Sequence, residues 1–153
     1  MSDLSDPMTR SSGHSVLRLL AAFPIACFTC ALFTDIAYVQ TANVMWVDFS
    51  DWLLAVGMAG GVVAAVAGLL SLMTNRRGRT QRFNWPVALG SVVVLVIALF
   101  NNFVHSRDAW TSVMPTGLAL SAATVLAVLV TAWLAANAGR RRGMVMPHSG
   151  VRQ

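Results

Sequence analysis

Residues 52–73 read WLLAVGMAGGVVAAVAGLLSLM, a run without a single charged side chain. As a helix rising 1.5 Å per residue it is about 33 Å long, enough to cross a hydrocarbon layer of ~30 Å. Three further apolar runs flank it, at about 16–40, at 85–103 and at about 115–138. Each is close to the roughly 20 residues that one crossing requires. They predict four spanning helices. The first run contains Arg18 near its start, where a long side chain reaches the headgroups. That run is too long for a signal-peptide core and lacks a small-residue cleavage site, so it reads as a retained span. Pro24 lies in its first turns, where neighbouring helices can re-satisfy the freed carbonyl.

Composition points the same way. Only 11% of the 153 residues are charged, 56% are hydrophobic, and the mean hydropathy is +0.65. A soluble domain carries about 25% charge, so the deficit decides the class. The expected fold is all-α, an integral membrane four-helix bundle with both termini cytoplasmic. Its parts are a flexible cytoplasmic N-terminal tail over 1–15, a four-span membrane domain over 16–138, and a basic cytoplasmic C-terminal tail over 139–153.

The span ends carry their own signals. Asp48 and Ser50 precede the second run, Asn84 with Pro86 opens the third, and Pro115 opens the fourth. Trp46, Trp52, Trp85 and Trp110 lie at run ends, where an amphipathic ring prefers the headgroup zone. Orientation follows from arginine, which supplies every cation. Arg10 and Arg18 lie at the start, Arg76, Arg77, Arg79 and Arg82 between the second and third runs, and Arg140, Arg141, Arg142 and Arg152 after the fourth. Only Arg107 falls in a loop on the other side, so the positive-inside rule places both termini in the cytoplasm and the loops around Met45 and Trp110 outside. The expected location is the bacterial inner membrane.

The formal charge of +5 would suggest nucleic acid in a soluble chain. Here the cations mark topology and no nucleic-acid motif is present, so the expected partners are the lipid bilayer and either a second copy or another membrane protein. With no Glu and no Lys, a glutamate base and a Schiff-base lysine are excluded. No phosphate loop, His-Glu zinc helix or nucleophile elbow occurs. No cofactor is predicted. Two cysteines inside an apolar run cannot form an extracellular disulfide framework.

Small residues recur in the second run at Gly57, Gly61, Ala64 or Ala65, and Gly68, with Gly60 alongside, a stripe that lets backbones approach. This helix is expected at the centre of the bundle or at a dimer contact. In the fourth run Ala119, Ala122, Ala123 and Ala127 suit tight packing. Ala31-Leu32-Phe33-Thr34-Asp35 is echoed by Ala98-Leu99-Phe100-Asn101-Asn102, equivalent positions of two helical hairpins.

Asp35 is the most informative residue, because an ionisable group at mid-span costs about 2.5 to 3.5 kcal/mol on insertion scales. It sits about one turn inside the outer boundary. The third helix offers Asn101 and Asn102 at that depth, with His105, Arg107 and Asp108 just beyond. The expectation is a polar cluster of Asp35, Asn101, Asn102, His105 and Arg107, with Tyr38 one turn further along. It reads either as a packing clasp between the first and third helices or as a proton, ion or small-ligand site. Cys27 and Cys30 form a second candidate, a thiol pair on one helix face that could bind a soft metal or cycle with a disulfide. Burial at mid-membrane argues instead for two small packing side chains. His14 and His148 fall on the cytoplasmic side and His105 on the outer one, so the three cannot hold one iron. The remaining arrangements are His105 with Met45, Met114 or an outer Asp, and a haem on a single histidine; surface or interfacial solvation of the histidines is favoured over both.

Phe23-Pro24-Ile25, with Asp35 twelve positions after Phe23, is similar to the bacterial domain-of-unknown-function family DUF2231. Those proteins open with a His-Pro-rich segment running into Phe-Pro-Ile, followed by a helix-end Asp. The resemblance extends from His14 to about Ala138, and His14 matches the opening histidine. Ser15 stands where the family usually has Pro, and Leu17 and Ala22 stand where further histidines are expected, so a histidine-based metal or haem role is not carried over. The resemblance implies a four-span membrane architecture and supplies no activity.

These residues lead to an integral inner-membrane protein, a structural or accessory subunit with a polar cluster near the outer face. The alternatives are a thiol- or haem-linked redox or metal-handling protein and, as an oligomer, a small-solute or proton carrier.

Overall fold

A computed structural model describes residues 8–74, 84–107 and 113–143. The helices are α1 (Met8–Thr41), α2 (Met45–Thr74), α3 (Trp85–His105) and α4 (Leu118–Gly143), the last preceded by a kinked turn, Val113–Gly117, in which Met114 is extended (φ −106°, ψ 132°). Four stretches are long and apolar enough to cross a bilayer: Leu19–Thr41, Met45–Ser71, Trp85–His105 and Val113–Arg140. The described residues contain no strand. α1 packs most extensively on α2 and α3 on α4, and the two hairpins close into a ring through α1–α4 and α2–α3.

Three boundaries differ from the sequence expectation. α1 is helical from Met8, inside the stretch expected to be a flexible tail, and α4 continues to Gly143, into the expected C-terminal tail. α2 starts at Met45, so Asp48 and Ser50 are not residues before a span but belong to its first two turns. Apolar runs stop where charge begins, whereas a helix continues through the headgroup layer as long as its backbone bonds are met. Asp48 in the first turn is favoured there by the helix dipole. The α1–α2 connection is short. Ala42 takes the left-handed conformation (φ 52°) and donates its N–H to the Tyr38 carbonyl, while Asn43 Oδ1 accepts the Met45 N–H at 3.0 Å.

The molecule is apolar on its outside. Leu19, Trp52 and Trp85 are each more than 70% exposed, and Phe33, Leu69, Leu89, Phe103 and Leu126 also face outward. A soluble monomer rarely exposes contiguous apolar patches above a few hundred Å², so this surface is one made for lipid. Several hydroxyls on the spans return their protons to their own helix, as Thr29 does to the Ile25 carbonyl and Ser91 to the Val87 carbonyl.

The interior is layered. Phe28, Ala31, Leu54, Val94, Ala98 and Val128 form the main apolar core, and Tyr38, Val47 and Val113 form a smaller one at the end where α1 joins α2. On α1, α2 and the segment leading into α4 the buried polar residues fall between these two layers, Asp35 between Ala31 and Tyr38, Ser50 between Val47 and Leu54, and Ser121 and Thr124 between Val113 and Val128, while on α3 Asn101 and His105 lie beyond Ala98.

The echo between the hairpins extends past the five residues quoted above. The spacing that takes Ala31 to Ala98 also takes Tyr38 to His105, and it takes Ser50, Leu54, Gly57 and Gly61 to Gly117, Ser121, Thr124 and Val128, every one of them buried. On α4 the inward stripe is therefore Gly117, Ser121, Thr124 and Val128. Ala119 and Ala122, expected to pack, are exposed, and Ala123 and Ala127 are half-buried.

The glycine stripe of α2 divides. A Cβ at Gly57 would stand 2.8 Å from the Cys27 Cβ and 2.9 Å from the Phe28 ring, and one at Gly61 would stand 2.7 Å from Leu95. Gly68 meets nothing within 4 Å. Gly57→Val is therefore expected to cost about 1–3 kcal/mol by overpacking, and Gly68→Val less than about 0.5 kcal/mol. Thermal unfolding in detergent micelles checks both, and a large loss at Gly68 would mean that α2 packs against another chain.

Candidate functional site: a sealed polar layer on the bundle axis

Asp35 reaches the middle of the ring and is fully buried. Its Oδ1 accepts the Ser50 hydroxyl of α2 at 2.5 Å and lies 3.0 Å from Nε2 of His105 on α3. Its Oδ2 accepts the Ser121 hydroxyl of α4 at 2.5 Å. One carboxylate is thus held by each of the other three helices. Ser121 Oγ accepts in turn from Asn101 Nδ2 at 2.8 Å. Thr34 Oγ1 lies 2.7 Å from Ser50 Oγ. The single Ser50 proton points at Asp35, so Thr34 is the donor between the two hydroxyls, sharing its proton with the Ala31 carbonyl 2.8 Å away.

His105 has both ring nitrogens engaged. Nδ1 is 3.1 Å from the Asn101 carbonyl, one turn back on the same helix. A carbonyl only accepts, so Nδ1 carries a proton. Between Nε2 and Asp35 Oδ1 there is then one proton, giving either imidazolium with carboxylate or imidazole with carboxylic acid. Both forms are neutral as a pair, and this permits a titratable couple to be buried where a lone charge would be too costly.

Of the residues expected in the cluster, the fold brings together Asp35, Asn101 and His105. It does not bring in Asn102, which is half-buried, or Arg107, which is exposed. Successive helical residues point about 100° apart, so only one of two adjacent asparagines can face the axis. The expected partner of Asp35 was an amide or an arginine; the structure supplies an imidazole and two hydroxyls. Asp108 and Trp110 lie outside the described residues. Ser50 and Ser121 were missed. The available signal was their register, since each falls on the inward stripe of its helix.

The thiols separate. Cys27 is buried beside Gly57 while Cys30 is exposed, and both are free. A spacing of three leaves about 60° between side-chain directions, enough at this position to put one sulfur in the core and the other toward lipid. The expectation of a shared face therefore does not hold. The side chain of His14 and all of His148 lie outside what is described.

The family described as "Predicted membrane protein (DUF2231)" matches residues 13–146. The chain belongs to this family. The match takes in all four spanning helices of the DUF2231 fold and every residue of the polar layer. No curated protein and no solved structure matches.

Proposed function

We propose that this DUF2231 protein resides in the bacterial inner membrane with both termini cytoplasmic, and that it is a structural or accessory subunit whose polar layer clasps the outer end of the bundle. The observation that carries this reading is the closure of Asp35. It has no exposed surface, every hydrogen bond accepted by its carboxylate comes from a different helix, and apolar layers lie above and below it. A catalytic base must come within hydrogen-bond reach of a substrate proton. A clasp must do the reverse and spend its bonding capacity on its own helices. The orientation is supported by arginine, ten residues of which fall at the chain ends or between α2 and α3 and one, Arg107, beyond α3.

Reporters that fold and fluoresce only in the cytoplasm, fused in turn to each terminus, are expected to be active at both. Activity at one terminus only would overturn the topology. For the role, Asp35→Asn and Ser121→Ala should still insert with the same topology but unfold at lower temperature in micelles, and any membrane complex containing the protein should weaken in proportion. A complex lost from a variant of undiminished stability would instead make the layer a recognition site.

A further inference from the structure

One atom of the polar layer has no partner. Asn101 Oδ1 is buried and accepts no hydrogen bond, while its Nδ2 donates to Ser121. A buried polar atom left this way costs about 1–3 kcal/mol, so its presence asks for a reason. We propose that the Asp35–His105 pair is a proton-binding site and that Ser121 and Asn101 form a hydrogen-bond chain that reverses when a second proton is taken up.

In the state described, the chain runs from Asn101 Nδ2 to Ser121 Oγ and from the Ser121 hydroxyl to Asp35 Oδ2. One proton entering from solution forms an O–H bond at Oδ2. The cluster gains one positive charge, as imidazolium beside carboxylic acid, and no bond between heavy atoms changes. Asp35 then donates to Ser121 Oγ, whose own proton must turn away. The acceptor within reach is the amide of Asn101, turned over so that Oδ1 replaces Nδ2. Turning it sacrifices no bond, because one end of the amide is paired and the other unpaired in either orientation. An asparagine bonded at both ends would lock the chain in one direction. The orphaned oxygen is what makes the chain reversible.

Charged groups of both signs lie around the pair. From α2, the half-buried Asp51 exerts an electrostatic pull on His105, and Asp48 is exposed one turn earlier. From α1 the facing titratable group is Tyr38, and from α3 it is Arg107, exposed two residues beyond His105. α4 contributes hydroxyls, its first charged residue being Arg140 at the opposite end. His105 is the last residue of α3 and is followed by the exposed Ser106. The nearest solvent is therefore at the end where α1 joins α2, the outer side in the orientation above, and a proton from there has to pass the thin layer of Tyr38, Val47 and Val113.

The proposal does not depend on the accessory role. Its test is a nuclear magnetic resonance titration of the full chain, labelled with carbon-13 and nitrogen-15, in micelles. The Asp35 carboxyl carbon and the Asn101 side-chain nitrogen are expected to shift together, with one common midpoint, across the titrated window. In Ser121→Ala the Asp35 signal should still titrate while that of Asn101 stands still. An Asp35 signal constant across the window, or an Asn101 signal indifferent to it in the wild-type protein, overturns the proposal whether or not the variant folds. The clasp reading fails on stability measurements alone, so the two failures are distinguishable.

Discussion

Asp35→Ala is expected to destabilise the folded bundle by about 3–5 kcal/mol, the range found when one member of a buried charged pair is removed. The substitution strips the acceptor from Ser50, from Ser121 and from Nε2 of His105 at once, on three helices. The hydroxyls recover part of this. Ser50 Oγ already lies 3.4 Å from the Ala31 carbonyl, and a helical serine can bond the carbonyl one turn back. Ordinary hydrogen bonds between membrane helices contribute about 0.6 kcal/mol on average and up to about 1.7. At that average three of them supply about 1.8 kcal/mol, and the imidazole deprived of its counter-charge and the cavity supply the rest. Asp35→Asn keeps the shape and an acceptor for His105, and should cost about 1–2 kcal/mol. Unfolding in mixed micelles with increasing denaturing detergent measures both. An alanine variant within about 1 kcal/mol of wild type would remove the clasp, since no other arrangement of these bonds could hide so large a loss.

The sequence exposed this fold and this site unequally. Four spans are legible because a bilayer imposes a length and forbids charge over that length, as residues 52–73 satisfy without exception. Asp35 is legible for the same reason, as an exception the membrane would not tolerate unpaired. Its hydroxyl partners are not. Ser91, Thr29 and Thr131 sit in spans too, and their hydroxyls bond their own helices. Nothing in composition separates them from Ser50 and Ser121; only helix rotation does, and this is set by packing. Gly57 and Gly61 against α1 and α3 fix that rotation for α2, and Gly90 against Thr131 brings α3 onto α4. The alanines of α4 misled because small residues suit a lipid face as well as a packed one, whereas the inward positions there are held by Ser121 and Thr124.

His105→Leu is expected to be as damaging as Asp35→Ala, about 3–5 kcal/mol, and for a sharper reason: it leaves a carboxyl group buried with two hydroxyl donors and no counter-charge. Adding Asp35→Val to that variant should restore about 2 kcal/mol or more, although it removes a second polar residue. The carboxyl is gone, Ser50 and Ser121 turn to carbonyls of their own helices, and an apolar side chain joins the layers of Phe28 and Tyr38 into one core. Replacing a buried charged pair by hydrophobic groups of similar volume is often neutral or stabilising. The same unfolding assay on the wild type, the two single variants and the double variant closes the cycle, and the double variant is expected to lose much less than the sum of the two single losses. Losses that simply add would mean that the side-chain volumes, and not the charges, hold the layer together. A double variant that folds well also separates strength from chemistry. It has the bundle without the proton, so a phenotype that persists in it belongs to the Asp35–His105 couple itself, and a phenotype that disappears belongs to the clasp.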